Sequence, residues 1–105
     1  MDITVSIVSH GHGAELGRLL ADLSVLREPR LRRVIVTLNL PDPGLQVSMR
    51  QRTWPFDLQW IDNARPLGFG ANHNRAFEHD QRQGPSVLFA VLNPDLRLHA
   101  NPFAA

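Results

Sequence analysis

Four short polar segments of the sequence carry side chains that could bind a ligand, and each follows an apolar run. The segments are 9–12, Asn39, 62–63 and 93–95. Together they hold imidazole, amide and carboxylate groups, which are the groups that orient a polar small molecule in an apolar cleft. Asn, Asp, Gly and Pro also end strands as ordinary turn residues. The interpretation as a binding site therefore requires the four segments to meet in space.

The most distinctive of these segments runs on from Asn63 into the sequence PLGFGANHN. Two glycines, Gly68 and Gly70, would let the backbone come close to a ligand. The N-terminus of a following helix would offer free N–H groups and a partial positive charge to an anion such as a phosphate. The glycine spacing differs from the dinucleotide fingerprint, and no GxxxxGK phosphate loop occurs. The segment therefore favours a phosphate-bearing ligand other than a dinucleotide or ATP.

Asp95 directly follows the last apolar run, with Asn93 two residues before it. Mg²⁺ and Mn²⁺ take oxygen ligands and need only one or two protein carboxylates when phosphate oxygens and water complete the shell. Asp95 is therefore a candidate metal ligand, with a simple Asn-Pro-Asp turn as the alternative interpretation. A zinc pair formed by His10 and His12 would need a third protein ligand, and the sequence nominates none.

The elements that must position these residues are strands alternating with helices. Short apolar and β-branched runs predict strands at 3–8, 34–38, 57–61 and 87–92. Leucines at helical spacing predict a helix between the first two strands, a second helix is expected within 68–83, and a shorter one at 45–52. The last strand is apolar on both faces, which is typical of a central strand.

A helical crossover between successive strands implies that those strands are parallel. The pattern therefore predicts an α/β fold, a Rossmann-like three-layer sandwich with a mostly parallel sheet of about four strands and flanking helices. In such sheets the carboxyl ends of the strands meet at one rim, where ligands bind. All four polar segments would lie at that rim.

Composition limits the class of protein. A chain of 105 residues is expected to form one domain over 1–105, because a second would have too little chain for its own core. All eleven basic residues are arginines and the net charge is only +1. The one dense basic group, residues 27–33, is expected in a surface loop, so no nucleic-acid binding is predicted.

The absence of cysteine excludes disulfides, thiolate nucleophiles and cysteine-based zinc sites. The N-terminus shows no basic region followed by a long apolar stretch, so no signal peptide is predicted. A cytoplasmic location is expected, either free or at the inner face of the membrane.

Four stretches resemble, in this order, the first half of bacterial family-two glycosyltransferases, especially rhamnosyltransferase-like ones. They are VSIVSHGHGAELGRLLADL, VIVTLN, IDNARPLGFGANHNRAF and FAVLNPDLRL. The most specific feature is the GFGANHN block paired with a downstream LNPD, and the resemblance spans nearly the whole chain. It implies part of the A-type glycosyltransferase fold and the binding of a nucleoside diphosphate-sugar, of UDP or dTDP type, for inverting transfer to an acceptor hydroxyl.

The resemblance also implies roles for individual residues. Ser9 and His10 would lie beside the base and ribose, and Asn39 near the nucleoside. Three further residues would lie along the edge of the nucleotide pocket: Asn63, Gly70 and Asn72. Asp95, the final carboxylate of a degenerate D-x-D motif, would bind Mg²⁺ or Mn²⁺ on the diphosphate.

Two departures from the family pattern modify these expectations. Asn93 stands at the first position of the D-x-D motif and brings no charge, so metal binding is expected to be weak. Leu38 stands where the family usually has an acidic residue before the asparagine. Recognition of the base or ribose is therefore expected to differ.

The resemblance places the acceptor-binding region and the catalytic carboxylate base beyond residue 105. The acceptor would be a glycan or a lipid-linked molecule, and the 105-residue chain alone is expected to be inactive because no base within it reaches an acceptor. Two alternatives remain. One is a non-catalytic nucleotide-binding or interaction module, and the other is a flavodoxin-like or response-regulator-like domain. The response-regulator form would carry an acidic cluster where Ser9 and His10 stand.

An A-type enzyme would pack further chain against the region after Asp95. The chain is therefore expected to expose an apolar surface and a strand edge, which recruit partners. A twofold homodimer is predicted because closed twofold assemblies are the commonest kind. Three apolar residues of the tail would then make intermolecular contacts: Leu96, Leu98 and Phe103.

Overall fold

A computed structural model describes residues 2–104 of the chain. The elements in chain order are β1 (Ile3–Ser9), α1 (Gly13–Leu26), β2 (Leu31–Leu38), α2 (Pro43–Arg50), β3 (Asp57–Asp62), α3 (Phe69–Arg82) and β4 (Leu88–Leu92). The four strands form one sheet in the order β3-β2-β1-β4, and neighbouring strands are parallel. Helices cover both faces. The predicted Rossmann-like three-layer α/β sandwich is confirmed.

The strand order creates a crevice between the ends of β1 and β4. After β1 the chain moves through α1 to β2 and then to β3. It returns through α3 to β4 on the opposite side of β1. The strand order thus reverses at β1, and open α/β sheets bind ligands at the carboxyl ends of the strands where the order reverses.

Helices α1 and α2 cover an apolar face of the sheet. Four leucines of α1 at helical spacing are fully buried, namely Leu16, Leu19, Leu20 and Leu23. They pack against alternate residues of β1, because successive strand residues point to opposite faces. Helix α2 begins where the Asp42 side chain accepts a hydrogen bond from the Leu45 N–H. This face forms the hydrophobic core.

Helix α3 covers a polar face of the same sheet. The buried residues of α3 are Asn72, His73, Ala76 and Asp80. The Asp80 carboxylate accepts hydrogen bonds from the Arg33 guanidinium, from Thr4 Oγ1 at 2.7 Å and from the Ser86 N–H at 3.2 Å. These bonds join the end of α3 to β1, to β2 and to the residues that enter β4.

Two expectations about the elements are wrong. Arg33 does not lie in a surface loop, because β2 begins at Leu31 and the Arg33 side chain is buried against Asp80. Strand β4 is not central, because among the described residues it pairs only with β1. Two of its apolar side chains are consequently exposed, Leu88 by 41% and Val91 by 46%.

The segment after β4 folds back onto its own chain. The Asp22 carboxylate accepts hydrogen bonds from Arg97 Nε at 2.8 Å and from the Leu98 N–H at 3.0 Å, and these bonds hold the pKa of Asp22 below its ordinary value. Leu98 and Phe103 pack against the core of the same chain. These two side chains are thus partly covered within one molecule, and their intermolecular role stays a prediction. Within residues 2–104, no helix combines the length and the hydrophobicity that crossing a membrane requires.

Candidate functional site

A cleft of about 470 Å³ opens at the carboxyl ends of β1 and β4, at the crevice that the strand order creates. Val8 and Leu92, near the ends of these strands, contribute apolar surface. Polar side chains come from the β1–α1 loop, from the end of β2, from the first turns of α3 and from the loop after β4. They are His10, His12, Asn39, Asn72, His73, Asn93 and Asp95. The structure therefore brings together three of the four polar segments and the PLGFGANHN stretch.

Asn39 connects the end of β2 to the loop before α3. Its amide nitrogen donates to the Leu67 carbonyl at 2.9 Å and lies 2.9 Å from His10 Nδ1. Its amide oxygen accepts from the Leu67 N–H at 2.7 Å and from Asn63 Nδ2 at 2.9 Å. Asn39 thus uses both ends of its amide to hold the loop and to orient the His10 ring.

Asn63 and Asn72 extend this amide network. Asn63 Nδ2 also donates to Asn72 Oδ1 at 2.6 Å, and Asn72 Nδ2 donates to the Leu67 carbonyl at 3.2 Å. Arg75 donates to Asn63 Oδ1 at 2.6 Å. Both asparagines are buried, and Asn63 does not line the cleft. Their hydrogen bonds shape the cleft wall by holding Leu67, in the loop before α3, in place.

The loop after β1 turns sharply and places two imidazoles at the cleft. Gly11 has a φ of 78°, a conformation that favours glycine. Ser9 is buried and its Oγ accepts from the His12 N–H at 3.3 Å, while His12 Nδ1 accepts from the His10 N–H at 3.1 Å. Ser9 therefore supports the loop from beneath, whereas His10 and His12 line the cleft.

Asp95 lies at the exposed rim of the cleft, in a turn where the Leu96 N–H donates to the Asn93 carbonyl at 3.1 Å. Among residues 2–104 no three His, Cys, Asp or Glu side chains cluster as a metal site. A single carboxylate beside a diphosphate still meets the needs of Mg²⁺ or Mn²⁺, since phosphate oxygens and water fill the remaining positions. The role of Asp95 as a lone protein ligand therefore stays a prediction.

The N-terminus of α3 lies beside the cleft and has no side-chain cap. Gly68 is the N-cap residue, and Phe69, one residue later, lines the cleft. The first N–H groups of a helix have no partner within the helix and attract anions. Gly70 is exposed and lies outside the cleft lining, and a Cβ built there would meet no atom within 4 Å. The fold itself does not require glycine at position 70, so its role toward a ligand stays a prediction.

No protein-family model and no curated protein matches this chain.

Sequence reasoning missed His73 and its partner Ser6. The His73 ring is only 8% exposed, and its Nδ1 lies 2.8 Å from Ser6 Oγ. Burial lowers the pKa of His73, so the neutral form of the ring predominates at pH 7. Two patterns pointed to this pair. Polar residues alternate with apolar ones from Ile3 to Ile7, and three of the four buried residues of α3 are polar.

Proposed function

We propose that this chain is the donor-binding part of a glycosyltransferase. It binds a nucleoside diphosphate-sugar with a divalent metal, for inverting transfer of the sugar to an acceptor hydroxyl. The observation that supports this proposal is the convergence of Asp95, the His10–Asn39 pair and the N-terminus of α3 on one cleft. An apolar floor with polar walls suits a nucleoside, and an uncapped helix N-terminus suits the diphosphate.

Each part of the cleft has a proposed contact. His10, oriented by Asn39, would lie beside the base and ribose, with Ser9 holding the loop beneath them. Asn72 would line the nucleotide pocket, with Asn63 supporting it from behind. Gly70 would allow the ligand close to the first turn of α3. The size of the cleft, about 470 Å³, lies within the range of small-molecule sites, roughly 300–1,000 Å³.

Asp95 would hold Mg²⁺ or Mn²⁺ from the rim of the cleft. When bound, the cation neutralises negative charge on the diphosphate as it leaves. Asn93 offers an amide oxygen without charge, so the metal is expected to bind weakly in the absence of the diphosphate. The proposed ligand UDP or dTDP therefore supplies most of the metal coordination.

The proposal assigns no catalytic base to the chain. The acceptor, a glycan or a lipid-linked molecule, would be bound by a region outside residues 1–105. The chain alone is expected to bind the donor without transferring the sugar, since a base must reach the acceptor hydroxyl within hydrogen-bond distance. The proposed location is the cytoplasm, and no nucleic-acid partner is proposed.

A homodimer through the edge of β4 is also proposed. Strand β4 pairs only with β1 in the described part of the chain, and Val91 is exposed on it. An edge with free N–H and C=O groups and apolar side chains recruits another strand. Sedimentation equilibrium should show a dimer for the parent and a monomer for Val91→Lys, with Val25→Lys on α1 as the control. A monomeric parent at every concentration would contradict the dimer.

Isothermal titration with UDP and dTDP tests the donor-binding proposal. We expect binding that is about tenfold tighter with Mn²⁺ than with a chelator, equivalent to about 1.4 kcal/mol. Asp95→Asn should lose that gain because the amide removes the charge and keeps the shape. The matched control is Asp57→Asn, at the amino end of β3 and outside the cleft lining.

The outcomes of this titration are separable. Binding that is equal with Mn²⁺ and with chelator, or unchanged in Asp95→Asn, would remove Asp95 from the metal role and leave nucleotide binding standing. If the parent binds neither nucleotide under either condition, the proposed function is wrong.

A further inference from the structure

His73 is a buried polar residue of the cleft with one ring nitrogen unused. It belongs to α3, lines the cleft and is only 8% exposed. Ser6 Oγ lies 2.8 Å from Nδ1, on one side of the ring. Nε2, on the other side, has no hydrogen-bond partner among residues 2–104. Buried polar atoms in native proteins are nearly always hydrogen-bonded. Among residues 2–104, His73 is the only residue lining the cleft that has such an unpartnered buried atom, so Nε2 is a candidate contact for water or for a ligand that enters the cleft.

Ser6 holds the ring in a fixed orientation. It lies in β1, paired with Ile35 of β2 and Val91 of β4, so its backbone cannot move independently. A serine hydroxyl can donate to Nδ1 or accept from it, so either neutral tautomer of His73 is accommodated. In the first case Nε2 carries the proton and donates, and in the second it accepts. A partner of Nε2 must therefore complement one of these two roles.

A hydroxyl group is the ligand chemistry that fits this position. It can donate or accept, so it pairs with Nε2 in either tautomer. A phosphate oxygen only accepts, so it pairs with neutral Nε2 in just one of the two tautomers, and burial disfavours the protonated ring that a phosphate would bind most strongly. Nε2 is shielded from water. The centroid of the Phe69 ring lies 4.5 Å from that of the His73 ring, and Phe69 is 63% exposed, so the proposed contact requires the Phe69 ring to turn outward when the ligand binds.

We propose that His73 is a specificity-determining contact of the cleft, whose Nε2 hydrogen-bonds to a sugar hydroxyl of the bound donor. Ser6 is the positioning residue that holds the ring. The inference rests on the proposed donor-binding function and adds to it a hydroxyl subsite on the α3 side of the cleft. The hydroxyl belongs either to the ribose or to the transferred sugar.

Titration calorimetry on matched histidine variants tests the proposal and separates the two sources. The probes are UDP, its 2′-deoxy and 3′-deoxy analogues, and UDP-glucose. The variants are His73→Leu and the control His79→Leu, on the same helix and outside the cleft lining. If the ribose is the source, the parent should prefer UDP over one deoxy analogue by about fivefold to tenfold, the effect of one hydrogen bond. If the transferred sugar is the source, the parent should instead prefer UDP-glucose over UDP. Either preference should vanish in His73→Leu and persist in His79→Leu.

A second measurement does not depend on the folding of a variant. In ¹⁵N-histidine-labelled parent protein, the Nε2 resonance of His73 should shift when the saturating probe is added. Ser6→Ala should change the ratio of the two neutral tautomers of His73. If Ser6 only supported the fold of the sheet, that ratio would stay the same.

The outcomes distinguish this inference from the proposed function. Suppose that the parent binds UDP, that His73→Leu shows the same preferences among the probes as the parent, and that the Nε2 resonance of the parent does not move. The inference is then wrong, and donor binding stands. If the parent binds none of these nucleotides, donor binding is wrong, and titration with free ribose and methyl glucoside decides the subsite. A shift of Nε2 on adding these sugars would support the subsite, and an unmoved resonance would overturn it.

Discussion

On the face of the sheet covered by α1 and α2 the buried side chains are apolar, whereas on the α3 face most of them carry a polar group. Ile3, Val5 and Ile7 point toward α1, and the alternating Thr4 and Ser6 point toward α3. From Ile3 to Ile7 the residues of β1 are fully buried on both faces. The two faces differ in how much free energy of folding the buried side chains contribute.

The apolar face stabilises the fold by removing hydrocarbon from water, at about 1.5–3 kcal/mol for each large side chain. The polar face gains less from burial, because each polar group must find a partner to offset its lost hydration. That face nevertheless places His73 under the cleft and ties α3 to β4. The apolar face therefore supplies more of the stability, and the polar face, which is less stabilising, positions residues of the cleft.

The largest effect is expected from breaking the buried ion pair of the polar face. Asp80→Asn keeps an acceptor for Thr4 but leaves the buried Arg33 charge unpaired. It should lower the free energy of unfolding by about 3–5 kcal/mol, measured by urea denaturation. Adding Arg33→Met should restore part of the loss, since no buried charge then remains. If the double variant loses at least as much unfolding free energy as the two single variants added together, the unpaired Arg33 charge is not the cause of the loss in Asp80→Asn.

A smaller loss is expected on the apolar face. Leu20→Ala removes a fully buried side chain from α1 and should cost about 2–4 kcal/mol of unfolding free energy in urea. Val25→Ala, on the same helix but 81% exposed, is the control and should cost little. Nucleotide affinity of the folded Leu20→Ala protein should equal that of the parent. A loss of affinity in this variant would mean that the two faces are not separate in function.

The smallest effect concerns pH. Burial holds the pKa of His73 below 6.5, its ordinary value, so the unfolded chain takes up a proton first as the pH falls. The stability that the folded protein gains from a neutral His73 is fully present above pH 6.5. It declines below that pH, with a slope of at most about 1.4 kcal/mol of unfolding free energy per pH unit. The unfolding free energy of the parent minus that of His73→Leu should therefore decrease as the pH falls from about 7.5 to about 5. A constant difference over that interval would contradict the burial of a neutral ring.

The faces also differ in how well the sequence predicts them. The leucine periodicity of α1 and the apolar runs of β1 and β2 are local signals, so the layers and the parallel sheet could be predicted. The pairing of Arg33 with Asp80 joins residues 47 positions apart, and no local sequence pattern predicts it. The position of β4 was also beyond local evidence, because an apolar run looks the same at an edge as in the centre.

The cleft was predicted only in part for the same reason. His10, Asn39, Asn72 and Asp95 follow strand ends or begin a helix, and parallel topology alone brings them to one rim. Whether a residue lines the cleft or supports its wall depends on side-chain packing. Asn63, for example, turns its amide toward other asparagines.

The most direct test of the central claim is to map where a nucleotide binds. Addition of UDP and Mg²⁺ to ¹⁵N-labelled protein should shift the backbone amide resonances of His10, Asn39, Phe69 and Asp95, which belong to separate segments around the cleft. Resonances of α2 and of the amino ends of the strands should stay in place. Shifts confined to those distant regions, or no shifts with UDP or with dTDP, would contradict a donor site at the carboxyl ends of β1 and β4.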